Sequence, residues 1–150
     1  MSEENSVQQS FQVQKVYTKN ISFESPNAPE VFLQEFQPQL EVDLNIESSA
    51  LEEDTYHVLL RVTATTQIED KTAFLCEVEQ AGIFSIAGFS EEELQYLLAS
   101  QCPSVLFPYA REAVSSLVSK GGFPQLMLEP VNFDAMFASH IEQQAAETQQ

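Results

Sequence analysis

The chain has no tryptophan, four glycines, two cysteines and six basic side chains among 150 residues, and each scarcity closes a class of function. Cys76 and Cys102 are too few and too far apart for a disulfide framework or a CxxC metal knuckle, so both read as buried, reduced thiols. Four glycines are sparse for a nucleotide cradle, and no GxSxG elbow, HExxH pair or Gly-rich phosphate loop occurs. His57 and His140 are the only histidines and have no carboxylate at a useful spacing, so no metal site, cofactor or enzymatic activity is expected. Six basic residues against 23 acidic ones leave a formal net charge of −17. Such a field repels phosphate backbones and anionic lipid, which argues against nucleic acid as a partner, and it attracts cationic partners. No apolar run approaches the roughly 20 residues of a spanning helix, so no direct membrane insertion is expected. Residues 1–10 lack a basic n-region and an apolar h-region, so they do not read as a signal peptide and a cytoplasmic location is expected.

Hydrophobic residues nevertheless make up 43% of the chain and charged residues 19%. That balance predicts one folded domain over 1–150, with 1–10 and 143–150 flexible. The mixed run from Phe11 to Thr18 reads as a first strand, extended weakly by Ile21 and Phe23. Pro26, Pro29 and Pro38 then make 25–38 a long connection. It also carries Val31, Phe32, Leu33 and Phe36, which a solvated loop would not gain from. Leu40, Val42, Leu44 and Ile46 alternate with polar residues as in a half-buried strand, and Tyr56 to Ala64 repeats the pattern after a polar turn at 48–54. A hairpin loop at 67–71 leads to a fourth strand over 72–81. Phe74, Cys76 and Val78 face inward there and Leu75, Glu77 and Glu79 outward. Gly82 is expected to end that strand or mark a bulge.

The period then changes from two to 3.6. Ser90 with Glu93 forms a capping box ahead of Leu94, Leu97 and Leu98, and Pro103 is expected to stop that helix. Pro108 is expected to open a second helix, with Ala110, Ala113, Val114, Leu117 and Val118 inward and Gly121 closing it. An apolar connector, 123–131, precedes a last helix from Asn132 with Phe133, Met136, Phe137 and Ile141 on one face. The class is α+β: a four-stranded antiparallel meander with helices packed on one face.

Two features exceed what folding requires. Glu41, Asp43, Glu47, Glu77 and Glu79 share the outward face with Leu75, although like charges on neighbouring strands cost stability. That face is either a solvated coat or a docking site with an apolar centre and a charged rim. The loop 25–38 and the connector 123–131 hold unclaimed large apolar side chains. They either seal the core or a subunit interface, or form a groove for an extended peptide.

The strings Tyr17-Thr18-Lys19, Ile21-Ser22-Phe23-Glu24, Pro26-Asn27-Ala28-Pro29 and Ala73-Phe74-Leu75-Cys76-Glu77-Val78 resemble the SecB family in order and spacing. Gly82-Ile83-Phe84-Ser85-Ile86-Ala87-Gly88, Cys102-Pro103, Leu106-Phe107-Pro108-Tyr109-Ala110-Arg111-Glu112, Phe123-Pro124-Gln125-Leu126 and Pro130-Val131-Asn132-Phe133-Asp134-Ala135 continue the match. The resemblance implies a non-enzymatic chaperone that binds unfolded preproteins in the cytosol and passes them to the SecA motor, assembled as a homotetramer, a dimer of dimers. It further implies a client groove of Phe36, Phe107, Tyr109, Phe123, Pro124 and Leu126, a SecA-docking patch of Glu24, Leu75 and Glu77, and a tetramer interface involving Cys76, Val78 and Gln80. The chain departs from the family pattern at Asn20, where an acid is common, at Phe36, where tryptophan is usual, and in a tail after Ile141 whose only acids are Glu142 and Glu147. The competing class is a docking module for one folded, basic partner. It would ignore unfolded chains.

Overall fold

Alternating apolar residues produce four long strands: β1 (Ser10–Glu24), β2 (Gln39–Glu52), β3 (Thr55–Ile68) and β4 (Lys71–Ala87). The computed structural model describes residues 8–148, so the expectations for 1–7 and 149–150 fall outside the described residues. The sheet is antiparallel with strand order β1-β4-β3-β2. This corrects the simple meander. The strands β2, β3 and β4 are hairpin-linked, but β1 pairs with β4, so the connection 25–38 must cross the end of the sheet, as in a Greek key. Ser25 Oγ donates to the Ala73 carbonyl and Asn27 Nδ2 to the Thr72 carbonyl, both at 2.9 Å, which pins the start of the crossing to β4.

The strands outrun their expected bounds because the turns are tighter than the polar stretches suggested. Glu69 and Asp70 both have positive φ, 49° and 66°, as a two-residue type I′ hairpin requires. The β2–β3 turn shrinks to Glu53 and Asp54. Nor does Gly82 end β4. A Cβ there would lie 2.9 Å from the Phe84 ring, so glycine lets that ring fold back under the strand, while the register shift falls opposite, between Val13 and Lys15 of β1.

The inner face carries Val58, Leu60, Val62 and Ala64 from β3 and Phe74, Cys76, Val78 and Phe84 from β4, all buried. Each large member contributes about 1.5–3 kcal/mol of transfer free energy. Helix α1 (Glu91–Tyr96) begins at the predicted capping box: Ser90 Oγ accepts from the Glu93 N–H and Glu93 Oε1 from the Ser90 N–H, both at 3.2 Å. Neither proline then acts as expected. A π-turn (Leu97–Gln101) passes directly into α2 (Cys102–Lys120), so the helix runs on through Pro103 and Pro108. The wider turn hands the Cys102 N–H to the Leu97 carbonyl, placing Pro103, which has no N–H to donate, at the register change. Pro108 sits on the solvent side of the helix. Leu106, Ala110, Val114 and Val118 of α2 press onto β3 and β4.

Asn132 Oδ1 caps α3 (Phe133–Thr148) through the Ala135 N–H at 2.9 Å. The helix runs on to Thr148. Of the predicted apolar face of α3, Phe133 is buried and Phe137 meets Tyr96, whereas Met136 and Ile141 stay exposed.

Candidate functional site

The end of α2 builds the first site. Its last carbonyls are closed by the Gly122 N–H to Ser119 and the Phe123 N–H to Val118, a Schellman turn that needs the positive φ of Gly122, 91°. That turn drives Phe123 back into an aromatic cluster. Its ring centroid lies 5.0 Å from Phe32, 5.0 Å from Phe74, and 6.4 Å from both Phe23 and Phe36. Gly121 is required beside it, because a Cβ there would overlap the Phe23 ring.

The crossing loop and the connector thus meet over Phe74. Phe36, Pro38, Leu40, Pro124 and Leu126 line a cavity of about 200 Å3 with Phe74 at its base. Phe36 is 40% exposed, and Leu33 and Phe32 beside it are also open. Of the six residues expected in a client groove, Phe36, Phe123, Pro124 and Leu126 come together, Phe123 being buried beneath the others. Phe107 lies elsewhere. It is buried against Phe133 at 6.0 Å with the Arg111 guanidinium over its ring, and Tyr109 is exposed on α2. The expectation omitted Phe32 and Leu33, although the apolar run 31–36 already carried the signal, and Leu40, which the alternation assigned to a strand. A second recess, about 750 Å3, lies between β2, the π-turn and α3, lined by Ile46, Leu98, Ala99, Met136, Phe137 and His140 among others.

The outward face of the sheet is ordered in rows by strand register. Glu24 of β1 stands opposite Leu75 of β4, then Thr65 and Glu41 continue across β3 and β2. The next row is Ser22, Glu77, Thr63 and Asp43, and the one after it Asn20, Glu79, Arg61 and Asn45. The three residues expected to dock SecA are therefore adjacent, with Leu75 37% exposed between carboxylates. Thr63 Oγ1 donates to Glu77 at 3.2 Å. Arg61 donates to Glu79 through Nη2 at 2.7 Å and Nε at 3.2 Å, and its Nη2 lies 3.7 Å from Glu47. The hydrogen bond to Glu79 and the surrounding carboxylates hold the Arg61 pKa above its ordinary value. Further along the same face, Tyr17 Oη and His57 Nε2 are 2.6 Å apart, and burial, then Lys19, lowers the His57 pKa.

Cys76, Val78 and Gln80, expected at a tetramer interface, point inward under the helices and are buried. Gln80 Oε1 is satisfied by Thr18 Oγ1 at 3.0 Å. Both thiols are free, and burial pushes Cys76 up to about 11 and Cys102 to about 12, so neither is a nucleophile at neutral pH. His140 is exposed, and its Nε2 lies 3.0 Å from Gln144 Nε2. Among the described residues no cluster of three or more His, Cys, Asp or Glu is placed to hold a metal ion, and no helix is long and apolar enough to cross a membrane.

A Greek-key sheet under one long helix, with an apolar recess at one end and an acidic outer face, is the architecture of SecB-like chaperones. The SecB-like chaperone of Mycobacterium tuberculosis, solved in complex with a peptide from an antitoxin, superposes with a TM-score of 0.68 at 20% identity, over 81% of this chain and 91% of that one. The family model described as preprotein translocase subunit SecB matches residues 4–144. The protein-export protein SecB of Hydrogenovibrio crunogenus is 65% identical over 150 residues, all of both chains. The chain belongs to the SecB family. It is thus a non-enzymatic, cytosolic chaperone of protein export, which binds preproteins and delivers them to SecA.

Proposed function

We propose that extended segments of unfolded preproteins lie in the groove between the crossing loop and the connector, against Phe36, Pro124 and Leu126 over Phe123. Tyr109, exposed on α2, offers a further contact outside that recess, whereas Phe107 is buried against Phe133. SecA docks on Glu24, Leu75 and Glu77, and the chaperone works as a homotetramer, a dimer of dimers. The convergence of Phe36, Pro124 and Leu126 from distant parts of the chain onto one open recess carries the reading of the groove.

An apolar trough recognises bulk and chain flexibility rather than sequence, gaining about 25 cal/mol per Å2 covered while the client loses conformational freedom. Each contact is therefore weak. Affinity arises when one long chain occupies several grooves of one tetramer, since each later contact is intramolecular. A folded client cannot span them, so selection for unfolded chains requires no hydrolysis. Because Cys76, Val78 and Gln80 are interior, their bearing on assembly runs through α2, which rests on β4.

Light scattering with and without an unfolded precursor tests the assembly: a tetramer mass that binds the precursor and ignores its native form supports the reading. A pull-down tests the docking face. Leu75→Arg or Glu77→Lys should weaken SecA binding while client capture stays intact, and undiminished SecA binding by both variants refutes that assignment.

A further inference from the structure

The acidic face is not uniformly acidic. In the two rows around Leu75 and Glu77 the side chains are Glu24, Glu41, Asp43 and Glu77, with Thr65, Ser22 and Thr63 between them and no cation. The next row holds Arg61, which engages Glu79 directly and reaches diagonally to Glu47. Among the described residues both ion pairs of the chain belong to this one side chain. Beyond it Glu47 is the one carboxylate of the next row, and the face then turns neutral to basic. Leu59 and Ala81 share the row of Glu47, and Lys15 follows opposite Ile83, with His57 and Tyr17 hydrogen-bonded alongside.

We propose that Arg61 is a positioning residue for the docking face: by pairing with Glu79 and reaching Glu47 it halves the negative charge of that group, so the acidic field is strongest at the end of the sheet around Leu75. A cationic partner is then drawn most strongly to that end, where its apolar contact must also fall on Leu75. Charge sets where the partner lands, and Leu75 tests what has landed. This rests on SecA docking at Glu24, Leu75 and Glu77. Without Arg61, the Glu79 and Glu47 pair would carry two negative charges in place of a net one. The partner would be held at several registers along β4, with less dependence on the apolar contact.

The short bond to Glu79, whose side chain is 15% exposed, has a structural part, and the contact to Glu47 leaves room for the positioning role beside it. Arg61 stands on the solvent face of the sheet with its side chain 28% exposed, and Glu47 is 59% exposed, so the pair with Glu47 is screened and adds little to stability. Its effect on the field above the face is larger, because it lies between two carboxylates at the boundary of the acidic area.

The test uses Arg61→Gln, Arg61→Lys and Glu47→Gln/Glu79→Gln in the full chain. Binding to purified SecA and to oligolysine is measured over a salt series, each variant also being combined with Glu77→Lys. Arg61→Gln should bind oligolysine about five- to tenfold more tightly at low salt, an effect of one or two surface charge contacts that fades as salt is added. It should also shrink the loss of SecA affinity caused by Glu77→Lys, and Arg61→Lys should restore wild-type values for both. Unchanged oligolysine binding and an undiminished Glu77→Lys penalty in Arg61→Gln overturn the proposal. Should Arg61→Gln fail to fold, the double carboxamide variant decides. It leaves the Arg61 charge uncompensated, so oligolysine binding must fall severalfold, and no change overturns the proposal. If Glu77→Lys alone leaves SecA binding untouched in the wild-type background, it is the docking reading that fails, which is a separate result.

Discussion

Phe36 offers the sharpest test of the groove, because its exposure sets the size of the effect. The residue keeps 40% of its surface open while its ring edge rests near Phe123. An aromatic side chain carries roughly 200 Å2, so about 80 Å2 is available to a client. At about 25 cal/mol per Å2, full coverage contributes about 2 kcal/mol, or about 30-fold in the affinity of a segment lying across it. Phe36→Ala should therefore weaken capture of a reduced, alkylated polypeptide by about 10- to 30-fold per groove, read by fluorescence anisotropy, with the loss multiplied for a client long enough to span several grooves. Chemical denaturation of the same variant should change little, since the side chain is half in solvent. Phe123→Ala is the contrasting control. That ring is buried under the groove, and its loss should cost about 3–5 kcal/mol of stability. A Phe36→Ala protein that binds the unfolded client as tightly as wild type would remove the recess from the client path.

Gly121→Ala should lower stability by about 1–3 kcal/mol in a denaturant titration, because the new methyl group must displace the Phe23 ring that stacks on Phe74. Cys76 and Cys102 should resist an alkylating reagent at pH 8 in the native protein and react rapidly once it is unfolded. Their folded pKa values of about 11 and 12 leave almost no thiolate, and burial blocks access. His57 titrates in the opposite sense to a paired histidine. Its folded pKa is lowered, so the unfolded chain binds its proton more readily, and stability should fall as pH drops through the window just below 6.5. In denaturation series between pH 5 and 7.5, His57→Gln should flatten that part of the profile. An unchanged slope would show that the histidine is not coupled to folding.

Much of the fold was legible in the chain because local physics and tertiary packing agree there. The alternation in β2, β3 and β4 fixed which residues face the helices, and Ser90 with Glu93 marked the start of α1. The helix interruption expected at Pro103 failed because the π-turn had already shifted the register at the point where the proline lacks an N–H and its ring crowds the preceding turn. The meander failed for a different reason. Strand pairing is decided by long-range contacts, and nothing local to β1 says that its partner is β4 rather than β2.

The same division holds for the function. Composition and alternation alone determined that this is an acidic α+β chain whose sequence shows no usable pattern of catalytic or metal-binding residues, and that the carboxylates of β2 and β4 share one side of the sheet. Only the tertiary structure decided that Phe36, Phe123, Pro124 and Leu126 meet while Phe107 does not, that Cys76, Val78 and Gln80 are sealed inside, and that Arg61 pairs with Glu79 and Glu47. Periodicity assigns a side chain to a face, which is a local property of the backbone. Which faces meet, and which charges fall within hydrogen-bond reach, depends on strand order and on a loop crossing the sheet, and these are set by packing across the whole chain.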